Sequence, residues 1–198
     1  MSVPPSVPPN VPISVRLSLQ MSLRPSLRTA LLQAVQRPLH IARLQHRDVA
    51  ELVRLNALAD ATEHALLPDL VAPRIDRRAA RRYWAAQVFS RNARTFVALA
   101  GGRVVGMIGV DLKRARHRYA VLKRHTYLHS LFVLPAWRGA GVARQLIRHA
   151  LQWSRSRDAT LAALEMAAPN VAARRLYGSF GFAPREMRFT LALDGRTR

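Results

Sequence analysis

The spacing of apolar and polar residues in this chain changes period several times, and each change marks an element. After Pro38, Leu39–Leu44 reads as a short strand. Val49, Leu52 and Val53 then share a helical face, with Asp48 placed to cap it. Residues 58–73 read as a long connection. Asp76 precedes a second helical run, in which Ala80, Tyr83, Trp84 and Val88 recur at helical spacing. Thr95–Leu99 and Arg103–Leu112 are strand-like and flank Gly101-Gly102, a two-residue hairpin signal. Tyr127–Leu134 predicts the next strand. Gly141–Arg157 predicts a helix with Val142, Leu146, Ile147, Ala150 and Leu151 facing inward. A strand over Leu161–Met166, a helix over Val171–Phe180 and a last strand over Arg188–Leu193 follow. The order β-α-α-β-β-β-α-β-α-β predicts an α/β fold around a mixed sheet.

Residues 1–37 lack such a period until about Thr29. They hold Pro4, Pro5, Pro8, Pro9, Pro12 and Pro25, and no acid precedes Asp48. Such a segment buries too little apolar surface to offset its ordering entropy. A largely disordered tail is expected over 1–37, and a folded domain over 38–198. An acid-free start bearing Arg and Ser also looks like an organelle transit peptide. A start assigned upstream of a true one at Met21 gives the same pattern, so the three readings stay open.

Composition narrows the chemistry. Of 198 residues, 49 % are hydrophobic, enough for one domain with a real core. There is no cysteine, which excludes disulfides, thiolate metal sites and a cysteine nucleophile. No metal is expected. No apolar run reaches the ~20 residues of a membrane helix, so a cytoplasmic protein without membrane contact is expected. The formal charge is +21, and all the basic residues but Lys113 and Lys123 are arginine. Such a charge suits RNA, a ribosome or another anionic partner. The arginines are spread along the chain, however, as on a solvated surface.

The candidate chemistry lies at the end of Tyr127–Leu134. There an apolar strand meets Pro135 and runs through Arg138-Gly139-Ala140-Gly141-Val142-Ala143-Arg144 into a helix. Glycines let the backbone approach a ligand, and a helix start supplies unpaired N–H donors and a partial positive charge. Arg138 and Arg144 add formal charge. Such a turn suits a phosphate, and the same residues also form ordinary strand–helix turns; the pattern is neither a Walker A loop nor a dinucleotide fingerprint. A second pattern follows: Asn170-x-x-Ala173-x-x-Leu176-Tyr177-x-x-x-Gly181-Phe182, a capped helix with Tyr177 on its second turn.

With both patterns in this order, the chain resembles the GNAT superfamily of acetyl-CoA-dependent N-acetyltransferases over roughly Leu39–Leu193. The resemblance implies a mixed, mostly antiparallel central sheet flanked by helices and splayed at the cofactor-binding strands. It implies acetyl-CoA as acyl donor and a primary amine as acceptor, on a small molecule or a peptide. Leu131, Phe132 and Val133 would pair through their backbone with the pantetheine arm. The N–H of Leu131 would face the thioester oxygen. Gly139 to Arg144, with Arg138, would wrap the pyrophosphate. Asn170 would bond the pantetheine arm, and Tyr177 would protonate the departing thiolate. Attack would be direct, in a ternary complex, since no cysteine can carry an acetyl group. The alternative is a non-catalytic protein on the same fold, binding acyl-CoA or RNA.

The base has two candidates. Glu165, five residues before Asn170, is expected to project alone from one face of its strand, with Leu164 and Met166 on the other. Ribosomal-protein-type members of the superfamily carry a base Glu at this spacing. His129 is expected on the same strand face as Leu131 and Val133, and imidazole as a residue type titrates near neutrality. Arylalkylamine acetyltransferases have a histidine there. A water chain to solvent stays open as a third route.

The acceptor is not fixed. Residues 58–73 carry Asp60, Glu63 and Asp69 with no Arg or Lys, an acidic island that would attract a cationic amine. Lys113, Arg114, Arg116, Arg118, Lys123 and Arg124 make the connection before the motif strand basic instead. Only about 16 residues follow Phe182, fewer than many superfamily members use to close the acceptor groove. An open groove would suit a peptide, and a homodimer partner would close it.

Overall fold

The computed structural model of the chain describes residues 39–72, 76–114, 124–186 and 189–190. The expected tail and Arg116, Arg118 and Lys123 lie outside them. The chain divides into two units, Met1–Glu165 and Met166–Arg198.

The first unit is built on a five-stranded sheet in the order β1 (His40–Arg43), β2 (Ala93–Ala100), β3 (Arg103–Arg114), β4 (Arg124–Val133), β5 (Leu161–Leu164). The first three pairings are antiparallel and β4–β5 is parallel. This is the mixed α/β sheet that the element order implies, and it is mostly antiparallel, as the resemblance implies. The hairpin at Gly101-Gly102 forms as expected. Both glycines hold positive φ, 60° and 77°, which two-residue turns between twisted strands require.

Helices α1 (Val49–Leu66) and α2 (Arg77–Phe89) lie on one face of the sheet. Leu52, Leu55 and Trp84 pack there with Val97, Leu99, Met107 and Phe132. Helix α3 (Val142–Ser156) covers the other face and buries Val142, Leu146, Ile147 and Ala150. Its Ser154 accepts a 2.8 Å hydrogen bond from the buried Thr126 hydroxyl of β4. Fully buried, each of these large aliphatic side chains contributes about 1.5–3 kcal/mol.

Several boundaries differ from expectation. Residues 58–73 are not a long connection: α1 runs through Leu66. Nothing between Leu58 and Leu66 breaks a helix, and the first proline is Pro68. Asp76 caps α2, accepting from the N–H groups of Arg78 and Ala79 at 2.8 and 3.1 Å. Asp48 makes no such cap. Its carboxylate accepts from the Gln45 N–H at 3.0 Å, closing a short 3-10 turn ahead of α1. β4 begins three residues before Tyr127, and β5 stops at Leu164 rather than Met166.

In the second unit, helix α4 spans Val171–Gly178, short of the expected Phe180, and a turn follows to Gly181 at φ 87°. Phe189 and Thr190 are not in a strand. The rest of the last strand expected over Arg188–Leu193 lies outside the described residues. No helix among those residues is long and apolar enough to cross a membrane.

Candidate active site

Strand β4 carries two different constructions. The first is made of backbone. β4 and β5 pair from His125↔Leu161 to Leu128↔Leu164 and no further. Beyond that point β4 keeps β3 on one side, while no strand among the described residues pairs with its other edge. Leu131 is half-buried, and Phe132 and Val133 are each 8 % exposed. What these three offer a ligand is main chain.

The strand then passes through a 3-10 turn, Pro135–Trp137, to Arg138. The Arg138 Nε donates to the Val133 carbonyl at 3.2 Å, and its guanidinium lies 5.6 Å from the Phe132 ring centroid. A fixed cation therefore stands at the mouth of the turn. Gly139 and Gly141 hold φ of 79° and 78°. A Cβ on either would meet nothing within 4 Å. The backbone conformation, not crowding by the protein, calls for glycine at both places, and the ground beside them is open. Gly141 precedes α3 and gives it no side-chain cap, so the amides of the first turn face outward. Ala140 and Ala143 are half-buried and Arg144 is exposed. Val142 is 1 % exposed, so its side chain belongs to the core and only its N–H can serve an anion.

The second construction is made of side chains. A β-bulge sets Ser130 and Leu131 of β4 opposite Ile108 of β3. It reverses the alternation of the strand. His129 pairs with Gly109 and faces α2, and so does Phe132, whereas Val133 faces α3 beside Leu146 and Gly106. The expectation that His129 shares a face with Val133 is thus overturned, because one extra residue shifts the pleat by one.

The His129 ring lies directly on Gly109, where an added Cβ would come within 2.2 Å of its Cε1. Trp84 and Tyr127 stack near it, each at 6.4 Å between centroids, and Tyr83 meets it edge-on at 6.4 Å. The Nδ1 atom is 3.1 Å from the Ser130 Oγ, and Nε2 is 3.4 Å from Asp111 Oδ1. Asp111 also takes a 2.9 Å hydrogen bond from Lys113 on its other oxygen. Burial pushes the Asp111 carboxyl up. The hydrogen bonds and charges of His129 and Lys113 outweigh burial and hold it below the usual carboxylate range. Burial, and then the Asp111 charge, push the Tyr83 phenol up to about 12.

Glu165 stands one residue past the end of β5 and is exposed. It does not occupy the strand position expected of it, because the ladder stops at Leu164. Of the acidic island, Asp60 and Glu63 lie on α1 and Asp69 in the turn after it. Burial pushes the Asp60 carboxyl up despite a 2.6 Å hydrogen bond from Asn56.

In the second unit, Asn170 caps α4 as expected, its Oδ1 accepting from the Ala173 N–H at 3.0 Å. Its Nδ2 group remains a donor. Tyr177 meets Phe182 edge-on, 5.7 Å between centroids, and burial pushes its phenol up to about 12. Among the described residues no group of metal-ligating side chains gathers.

Asp111, Gly109 and Ser130 escaped the sequence reading. One signal was present: Gly109 interrupts an apolar strand, which marks a close approach by another group.

The chain is similar to known proteins. The model of the family described as "Acetyltransferase (GNAT) family" matches residues 59–182. The chain is 31 % identical over 130 residues to an aminoalkylphosphonate N-acetyltransferase of Salmonella typhimurium, covering 66 % of this chain and 82 % of that protein. A predicted acetyltransferase from Clostridium acetobutylicum, solved with acetyl-CoA, superposes with a TM-score of 0.65 at 16 % identity, over 79 % of this chain and 97 % of the other. An aminoglycoside N-acetyltransferase in complex with CoA superposes with a TM-score of 0.63 at 18 % identity, over 80 % and 96 %.

Proposed function

The chain belongs to the GNAT family of acetyltransferases, and we propose that it moves the acetyl group of acetyl-CoA onto the primary amine of a small polar acceptor. One observation carries this reading. β4 leaves β5 after Leu128 and runs, with one edge unpaired by any strand among the described residues, into a glycine turn that ends at a helix start without a side-chain cap. An extended amide-bearing chain with a pyrophosphate at one end fits that sequence of groups.

Leu131, Phe132 and Val133 bind the pantetheine arm by main chain, and the Leu131 N–H stabilises the thioester oxygen as charge develops. The amides from Gly139 to Arg144, with the anchored Arg138, hold the pyrophosphate. Asn170 donates from Nδ2, since its Oδ1 is held by Ala173. Tyr177 gives its proton to the departing sulfur; a phenol pushed up to about 12 keeps that proton at neutral pH. His129 takes the proton released by the amine. Its half-buried setting, with a polar partner at each nitrogen, supports it over the exposed Glu165.

The acceptor is read as small because Tyr83, Trp84 and Tyr127 crowd the histidine. The aminoalkylphosphonate named for the Salmonella relative is of that size. Calorimetric titration with acetyl-CoA tests the donor half, and absence of binding at millimolar concentration overturns it. Thiol release over aminoalkylphosphonates, aminoglycosides, polyamines and peptides tests the acceptor. Turnover of a small amine is expected; turnover of peptides alone would move the reading to protein acceptors.

A further inference from the structure

The bulge that reorients β4 leaves a polar chain that acetyl transfer by main chain alone does not require. Ser130 holds φ at 52°. That region is costly for a residue with a Cβ, and glycine would occupy it without strain. The chain keeps a serine there, and its hydroxyl lies 3.1 Å from His129 Nδ1. On the far side of the ring, Asp111 lies 3.4 Å from Nε2. Strain held at a side chain that bonds a candidate base is an observation from which function can be argued.

We propose that Ser130, His129 and Asp111 form a proton relay, in which Asp111 is a positioning residue and Ser130 hands the amine's proton to the histidine. The proposal rests on the reading of His129 as the base. An ionised carboxylate only accepts hydrogen bonds, so Asp111 sets the tautomer with hydrogen on Nε2. Nδ1 is then the basic nitrogen, and the Ser130 hydroxyl donates to it. The oxygen of Ser130 retains lone pairs for a proton arriving from the acceptor.

As the C–N bond forms and the C–S bond breaks, the amine's proton passes to Ser130 Oγ while the Ser130 proton passes to His129 Nδ1. The sulfur takes its proton from Tyr177. The imidazolium, held beside Asp111, and the tyrosinate return to neutrality by exchange with solvent. One proton leaves nitrogen and one reaches sulfur, so the step balances. Gly109 lies beneath the ring, and the Trp84, Tyr127 and Tyr83 rings stand 6.4 Å from it between centroids. The Ser130 hydroxyl extends the reach of the imidazole beyond that setting.

Ser130→Gly is the decisive variant, because it removes the hydroxyl and relieves the backbone at once. It should unfold at the same or a higher temperature and bind acetyl-CoA as before, yet lose about tenfold in kcat. Unchanged kcat overturns the relay. Asp111→Asn should lower kcat about tenfold and let hydrogen on Nδ1 appear in the nitrogen NMR of His129, through loss of the acceptor that holds hydrogen on Nε2; Asp111→Glu should restore much of both. An unchanged rate and tautomer overturn the role of Asp111. The charged or titratable groups facing the ring are Tyr83 from α2, Asp111 with Lys113 from β3, and Tyr127 on β4, so each is replaced in turn to assign the limb. His129→Gln separates the failures. If it keeps the limb, His129 is not the base. If it abolishes the limb while the serine and aspartate variants behave as wild type, only the relay fails. Nitrogen NMR of His129 needs no acceptor: hydrogen on Nε2 is expected at pH 8, and hydrogen on Nδ1 overturns the proposal.

Discussion

The two ends of β4 solve different problems with different parts of the chain. From Leu131 to Ala143 the groups that would serve the proposed donor site are amides, aimed by dihedral angles at Gly139 and Gly141 and by the start of α3. From Tyr127 to Ser130 they are side chains, aimed by packing against Gly109, Trp84 and Asp111. A backbone site tolerates exchange of side chains but not of φ. A side-chain site tolerates backbone adjustment but not loss of a ring or hydroxyl. The first should therefore govern donor affinity and the second the rate of the chemical step.

Variants test that division in order of expected effect. Tyr177→Phe removes the proton donor and leaves the ring, so kcat should fall about 10³-fold with acetyl-CoA affinity within about twofold. Single-turnover kinetics at saturating donor measures it, and an intact rate would remove Tyr177 from the chemistry. Gly109→Ala comes next. Its methyl group would sit 2.2 Å from His129 Cε1, so the ring must swing off its position between Trp84 and Tyr127. Misplacement on that scale should cost about a hundredfold in kcat, again with donor affinity kept. Gly141→Ala should do the reverse. Alanine at φ 78° is strained although nothing crowds it. Acetyl-CoA should bind about tenfold more weakly, while kcat at saturation stays within about twofold. If Gly109→Ala weakens donor binding as much as Gly141→Ala does, the two ends are not separate.

The glycine turn was legible in the sequence because glycine spacing and a strand–helix junction are local. Arg138–Arg144 and the Asn170 cap form as their residues imply. The side-chain site was half legible. His129 could be named, but its partners come from β3 and α2, and nothing in the spacing of either fixes the bulge at Ser130. That bulge is a register event between two strands, and it reversed the face assigned to Val133. The strand position expected of Glu165 fails for a related reason: Leu161–Met166 is apolar enough to extend a strand, while pairing with β4 ends at Leu164. The second half of α1 is a simpler case: 58–66 carries acidic residues that suit a loop as well as a helix, and it holds no helix breaker.

The smallest effect distinguishes the units by pH. The phenols of Tyr177 and Tyr83 are both pushed up to about 12, in each case mainly by burial. An ordinary tyrosine titrates near ~10. Below ~10 both folded and unfolded chains hold these protons, and neither group makes stability depend on pH. Between there and about 12 the unfolded chain gives them up first, so stability should fall as pH rises through that window. Tyr83 is 42 % exposed despite its shift, and solvent screening should make its share the smaller. Urea midpoints at pH 9, 10 and 11 would measure the slope for wild type, Tyr83→Phe and Tyr177→Phe. The slope should flatten more in the Tyr177 variant. The same shift bears on the rate, because a donor with so high a pKa adds no basic limb below ~10. A descending limb near pH 8 that disappears in Tyr177→Phe would mean that the phenol loses its proton in the working range, and would contradict its role as the acid that meets the departing thiolate.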